Sequence, residues 1–309
     1  MDLGHDPKIV DQQLKLHRQA KEKGINIVPD TGMAPGMVSH IAADGAGEFD
    51  HIYSLRMYVG CIPQKPTNPP LNYAKYFSTE GLMAEYLQPS RILRDGEIVE
   101  VGGLTEREEF NFPGFGRVEA AHNGGATSTL PTTFKGKVDE LFYKTLRYPG
   151  HFAEIQTMLD GSTPEKVAAE LDKTLPGGSE HPDVMLMLAT VDGTKDGKRR
   201  QIVYTMADRY DEETCLTSMQ RTTAFSAATI ALLLATGQAK EKGVIPQETC
   251  ISQKKYFEEL DRRGIKIIKT TLDLDNLDRG HEIDDLTIKI PPISPIQITK
   301  QPSRDKTTN

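Results

Sequence analysis

A glycine-proline loop, Pro29-Asp30-Thr31-Gly32-Met33-Ala34-Pro35-Gly36, sits near the start of this 309-residue chain and limits the folds open to it. Ahead of it lie a short apolar run, Ile25 to Val28, and an amphipathic stretch from Ile9 to Lys23. Ile9, Leu14 and Leu16 space roughly as one helical face, and Gly24 is placed to end the helix. The apolar run reads as a short buried strand. A helix, a strand and a turn in this order read as the closing unit of a doubly wound, dinucleotide-binding sheet. The opening unit of such a sheet carries G-x-G-x-x-G directly after a strand. No apolar run here is followed by that pattern, and Gly45-Ala46-Gly47 lies in a polar stretch with no predicted strand before it. The expectation is a chain that opens inside the sheet, without its phosphate-binding half.

Composition narrows the function classes. A net charge of −7 argues against a nucleic-acid surface, which needs a basic stripe. The longest apolar run, Ala227 to Ala235, is too short for a membrane span and is interrupted by Thr229. The N-terminus lacks the basic-then-apolar order of a signal peptide. Cys61, Cys215 and Cys250 form neither a C-x-x-C clip nor an even disulfide framework, so reduced thiols and a cytoplasmic location are expected. The histidines show no metal-ligand spacing, and no metal site is expected.

Further along, Ile52, Tyr53, Leu55, Met57 and Val59 alternate with polar residues as in a half-exposed strand over 51–59. Pro63, Pro66, Pro69 and Pro70 predict an ordered loop or extended arm. A strand is predicted over 71–77, a helix over 79–87, and a hairpin over 92–101 around Asp95-Gly96. Strands follow at 118–122 and 136–148. A helix opens at Thr163-Pro164-Glu165, and a long hairpin pairs 184–191 with 201–207. Residues 218–235 and 247–263 predict helices, 265–269 a last strand, and 271–309 an extended or disordered tail. The sum is a mixed, mainly antiparallel α+β body, clasped at both chain ends by pieces of an α/β domain.

Five motifs then occur in a telling order: the loop 30–36, Phe112-Pro113-Gly114-Phe115-Gly116, Ser128-Thr129-Leu130-Pro131, Lys144-Thr145-Leu146-Arg147-Tyr148-Pro149-Gly150-His151 and Arg221-Thr222-Thr223. Together they resemble the saccharopine dehydrogenase-like family over residues 2 to 270, its C-terminal two-thirds, with the lysine 6-dehydrogenase branch most similar. The resemblance implies a remnant of a Rossmann domain in 1–30. It implies an α+β substrate-binding and dimerisation domain in 31–215, and helices and a strand returning to the Rossmann side in 216–270. It also implies NAD or NADP as cofactor, a homodimer, an amino-acid substrate and a separately encoded Rossmann subunit as a conceivable partner.

Site residues follow from the resemblance and from chemistry. Gly32, Met33, Ala34, Pro35 and Gly36 would lie beside the nicotinamide, because two glycines let backbone pass close to a flat ring and Pro35 fixes the turn; a plain strand-to-helix turn is the alternative. Thr31 stands where relatives commonly have cysteine. Glu80 stands where saccharopine reductases carry an arginine, so it would repel a carboxylate and suit an ammonium; a solvated charge on a helix N-terminus is the other reading. Arg147 suits an α-carboxylate and His151 suits proton transfer, against structural capping or pairing. Asn123, Ser128 and Thr129 are candidates for substrate hydrogen bonds or members of a surface turn. Thr222 and Thr223 would meet the cofactor or simply cap a helix. No nucleophile–base motif emerges, which fits hydride transfer. The expected reaction is oxidative deamination of L-lysine at the ε-carbon. The alternatives are a non-catalytic binding or dimerising module, a subunit of a split enzyme, and a saccharopine reductase or carboxynorspermidine synthase-like enzyme.

Overall fold

A computed structural model describes residues 1–274, other than 5 and 240. In chain order the helices and strands are α1 (Pro7–Leu14), α2 (His17–Glu22), β1 (Asn26–Ile27), α3 (Met37–Ala46), β2 (His51–Pro63), α4 (Thr79–Leu87), β3 (Ser90–Arg94), β4 (Glu97–Val101), β5 (Glu108–Phe112), β6 (Gly116–His122), α5 (Leu130–Phe134), β7 (Val138–Arg147), α6 (His151–Gly161), α7 (Pro164–Thr174), β8 (Asp183–Lys195), β9 (Lys198–Arg209), α8 (Ser218–Ala235), β10 (Gly243–Val244), α9 (Gln247–Cys250), α10 (Gln253–Arg262) and β11 (Ile268–Asp273).

Nine strands form one sheet. Its main path runs β11-β9-β8-β2-β7-β3-β4, with β6 on the far end of β7 and β5 beside β6. Every pairing is antiparallel except β2 with β7, which run parallel from Ile52/Val138 to Val59/Thr145. Near the end of this parallel pair the backbones close up: a Cβ on Gly60 would stand 2.5 Å from the Leu146 carbonyl oxygen. Only glycine fits there.

The largest core joins β2, β7, β8 and β9 to α3, α5, α8 and α10, through residues such as Met37, Ile41, Met57, Leu141, Met187, Ile230 and Tyr256. A second cluster, with Tyr58, Phe112, Leu146 and Leu186, lies under the β5–β6 hairpin. A third, with Tyr73, Leu82, Tyr86, Phe152 and Leu171, packs α4, α6 and α7 together. A separate two-stranded parallel sheet joins β1 to β10, where Asn26 pairs with Gly243 and Ile27 with Val244.

Several expectations change. The half-exposed strand over 51–59 is a central strand extending to Pro63, and its residues beyond Met57 are buried. Pro63 is tolerated as the last residue, where the ladder passes to the Gln64 amide, which donates to Pro182 at 2.9 Å. Residues 71–77 form turns rather than a strand, with Asn72 left-handed at φ 50°. The helix expected over 247–263 is two, broken at Ile251–Ser252. The last strand begins at Ile268 and joins the large sheet beside β9, so it does not return to the small sheet of β1; β10 does. Helices α3, α5 and α6 have no counterpart among the predicted elements. From residue 275 on, the expected tail lies outside the described residues.

No helix of the described residues is long and apolar enough to cross a membrane. Among those residues no group of three or more His, Cys, Asp or Glu is arranged to hold a metal. All three cysteines are free thiols.

Candidate functional site

The parallel pair fixes where a site can form. Strands running side by side end at the same edge, and beyond their carboxyl ends the chain must diverge, leaving a crevice. Here that crevice is a cavity of about 90 Å³. Val59, Gly60 and Cys61 from β2 and Tyr143, Thr145 and Arg147 from β7 form its floor. Glu85 of α4, the loop 32–35 and the first turns of α8 complete it.

The Gly32–Gly36 loop is held by its own backbone. Gly32 and Gly36 bridge, and the Met37 amide donates to the Gly32 carbonyl at 2.9 Å. Gly36 has φ +145°, and a Cβ there would lie 1.9 Å from the Gly32 oxygen. Ahead of the loop, the Thr31 amide and hydroxyl both donate to the Asp2 carbonyl, at 2.8 and 2.7 Å. The buried Asp30 carboxylate accepts from the Ser128 hydroxyl.

Arg147 is the only arginine or lysine lining the cavity among the described residues, and it is 2% exposed. Its Nη1 donates to the Leu146 carbonyl at 2.9 Å and its Nη2 to Glu85 Oε2 at 3.1 Å. The guanidinium stands 4.7 Å from the centre of the Tyr73 ring, a cation–π stack. Burial opposes its charge, but Tyr73, Tyr86 and Glu85 more than offset that, and its pKa lies above the ordinary value. Arg147 Nε and the buried Tyr73 hydroxyl have no hydrogen-bond partner.

Behind Arg147 runs a fixed relay. His151 Nδ1 lies 2.9 Å from the Leu71 carbonyl, which can only accept, so Nδ1 carries the proton. Nε2 then accepts from the Tyr86 hydroxyl at 2.7 Å. Burial, then the Arg147 charge, lowers the His151 pKa to about 3. Burial pushes the Tyr86 hydroxyl up to about 12 against the pull of Arg147. Glu119 of β6 holds the start of α6 in place by accepting from the Gly150 and Phe152 amides, at 3.0 and 2.7 Å.

The predicted site residues separate accordingly. Arg147, Gly32, Met33, Ala34, Pro35 and Thr223 line the cavity, and Gly36 shapes the loop beneath it. His151 does not line it; the expected proton carrier is a neutral ring one layer behind, with both nitrogens engaged. Glu80 is exposed in the first turn of α4 and lies outside the lining. The carboxylate that reaches the cavity is Glu85, which the sequence reading missed. Its signal was present: Leu82, Glu85 and Tyr86 share one face at i, i+3, i+4.

Thr129 is turned inward, its hydroxyl donating to the buried Glu248 carboxylate at 2.9 Å. Ser128 serves Asp30, and Asn123 is buried outside the lining with Oδ1 unpartnered. The Thr222 hydroxyl donates back to the Ser218 carbonyl at 2.8 Å, so its place is within α8. Arg221 is committed to Asp208 and Asp211. Cys61 donates to Asp183, and burial, then that carboxylate, pushes its thiol well above the usual range, which leaves no thiolate.

A sequence model of the saccharopine dehydrogenase C-terminal domain family matches residues 32–265, most of the chain. Among solved structures, the fold is similar to that of an apo, histidine-tagged saccharopine dehydrogenase (L-Glu forming) from Saccharomyces cerevisiae. The TM-score is 0.68 at 15% identity, covering 84% of this chain and 76% of the yeast chain.

Proposed function

The chain belongs to the saccharopine dehydrogenase C-terminal domain family, and from that we propose that it is the substrate-binding part of an NAD(P)-dependent oxidoreductase acting on a small amino acid. The observation that carries this reading is the buried Arg147 guanidinium, which lines a cavity at the carboxyl ends of the parallel pair together with the glycine-proline loop. Arginine in that position suits a substrate carboxylate. Met33, Met185 and Met219 supply apolar wall for a hydrocarbon chain. These features support L-lysine as substrate, with oxidative deamination at the ε-carbon as in the lysine 6-dehydrogenase branch. Glu80 plays no part in this site, because its side chain is on the surface; Glu85 is the carboxylate at hand.

When bound, the nicotinamide supplies the hydride acceptor. Its ring suits the Gly32–Gly36 loop: a Cβ on Gly32 would come within 3.3 Å of the Pro35 oxygen and 3.5 Å of the Thr223 methyl, so glycine keeps this wall flat. The described residues offer no glycine-rich turn at the head of a helix for the dinucleotide's phosphates. The chain's own groups bind and orient. Arg147 neutralises the carboxylate, Glu85 and the Tyr73 ring keep Arg147 in place, and the methionines exclude water. A homodimer in the cytoplasm belongs to the same proposal.

The second reading is a binding and dimerising module that lends its cavity to a separate Rossmann subunit. No G-x-G-x-x-G follows an apolar run in these 309 residues. The test is NADH formation from L-lysine by the purified chain, alone and mixed with any protein encoded immediately upstream. The oxidoreductase reading expects NADH in at least one mixture. Lysine binding without NADH in either leaves the module.

A further inference from the structure

The glycine-proline loop that walls the cavity is held from outside it. Residues 127–129 carry three hydroxyls in a row, and each goes to a different part of the molecule. The Thr127 hydroxyl donates to the Arg91 carbonyl of β3 at 2.8 Å. That of Thr129 donates to the buried Glu248 carboxylate of α9 at 2.9 Å, and Thr133, one turn on, donates to the same carboxylate at 2.5 Å. Between these two anchors the Ser128 hydroxyl donates to the Asp30 carboxylate, at the head of the loop. With its neighbours fixed on both sides, Ser128 has little freedom to turn elsewhere.

Both ends of that bond sit in backbone that side chains avoid. Asp30 has φ 58° and Ser128 has φ 46°, in the left-handed region, and neither is glycine. They are 1% and 7% exposed, so no solvent relieves either of them. Strain of this kind persists only where the surroundings over-determine it, and it gathers at active sites and ligand clamps. The Asp30 side is boxed in as tightly as the Ser128 side. Its amide donates to Asp2 Oδ1 at 3.1 Å, and a Cβ on Gly4 would stand 1.3 Å from Asp30 Oδ1. Two residues further on, Gly32 begins the stretch 32–35 that lines the cavity, while Asp30 and Ser128 stay outside the lining.

We infer that Ser128 and Asp30 are positioning residues: their bond latches the Gly32–Gly36 loop in the place where it walls the cavity, and Thr127 and Thr129 keep the latch aimed. The pair acts through the loop and touches no ligand. The bridge between Gly32 and Gly36 gives the loop its shape, but that bridge is internal and travels with it. The bonds of Thr31 to the Asp2 carbonyl tie the loop to the first residues of the chain, and the Ser128 bond ties it to β3 and α9. The effect on a ligand rests on the amino-acid reading above and deepens it, by naming what sets one wall of the site.

Hydrogen–deuterium exchange of the purified full chain, read on peptides across 31–38, tests the latch with no ligand present. Ser128→Ala should speed exchange there about tenfold or more, a hydrogen bond to a charged acceptor being worth that much, while β2 and β8 keep their rates. Ser128→Gly relieves the left-handed backbone, should free the loop in the same way, and serves if the alanine variant does not fold. Asp30→Asn keeps an accepting oxygen on a residue that tolerates this backbone, and should stay within about threefold of wild type where Asp30→Ala does not. Calorimetric titration with L-lysine reads the consequence: affinity should fall about tenfold in Ser128→Ala and be largely kept in Asp30→Asn. Unchanged loop exchange in the Ser128 variants overturns the latch. Faster exchange with unaltered lysine affinity overturns its positioning role. A wild-type chain that binds no lysine overturns the amino-acid reading instead, and the exchange result alone then decides the latch.

Discussion

His151 does not titrate where histidines usually do, and the reason is local. Its ring is buried, both nitrogens are engaged, and the neighbouring Arg147 charge disfavours a second proton. In the unfolded chain it takes up a proton near pH 6.5, and in the folded chain only near pH 3. Between those values the unfolded state holds more protons, so this residue's contribution to stability is full above pH 6.5 and is lost as the pH falls toward 3. Urea unfolding of wild type and His151→Gln between pH 6 and pH 4 tests this. The wild-type free energy should fall more steeply, by up to about 1.4 kcal/mol per pH unit. Parallel curves would show an ordinary histidine. The same residue shows what a sequence conceals: its type and its place at a strand-to-helix junction were legible, but its depth was not. That depth comes from residues such as Leu71, Tyr73 and Tyr86, 65 or more positions earlier in the chain.

At the scale of elements, α8 illustrates how a helix is aimed at a site. Thr217 and Gln220 close a capping box, and Asp183 of β8 adds a second cap from outside the helix. Its carboxylate accepts from the Ser218 amide and hydroxyl, both at 2.7 Å, and from the Met219 amide at 3.0 Å. Met219 and Thr223 are thereby presented to the cavity. Asp183→Ala should cost about 2–4 kcal/mol in urea unfolding, because several donors lose their acceptor together. Thr217→Ala should cost about 1 kcal/mol, since Asp183 still covers the helix end. Equal losses would mean that Asp183 adds no capping of its own.

Elements of this kind were readable where local signals were strong: α4 and α7 begin at Ser78 and Thr163, and the β8–β9 hairpin turns at Asp196-Gly197. Helix α3 was not readable. It is buried on nearly every side, including Ser39 and His40, so it has no polar face to give a 3.6-residue period. Residues 71–77 misled for the opposite reason. Their apolar residues pack inward from a turn-rich segment, and Leu71, Tyr73 and Ala74 imitate the composition of a strand.

Across the whole molecule, β2 is the strand on which the rest depends. It pairs from His51 to Pro63 with β8 on one side and from Ile52 to Val59 with β7 on the other, the β7 partners lying 86 positions further along the chain and the β8 partners 120 to 143. The two-residue strands β1 and β10 have only each other. Hydrogen–deuterium exchange read by mass spectrometry should find the amides of β2 and β8 the slowest and those of β1 and β10 the fastest among the strands. Comparable protection in the small sheet would mean that β1 and β10 part only with global unfolding.

The parallel pairing of β2 with β7 has one more consequence. Because the crevice opens where those strands part, its walls come from residue 3, from 32–35, from 59–61, from 73–85, from 143–147 and from 185–223. An occupant therefore touches pieces recruited from most of the described chain, and it can do so only when all of them have assembled. Occupancy and folding become a single equilibrium: a ligand at a hundred times its dissociation constant would add about 2.7 kcal/mol to the stability of the entire protein. The melting temperature of this chain is thus a broad-spectrum assay for its natural ligand, one that needs no turnover and no prior guess at the chemistry.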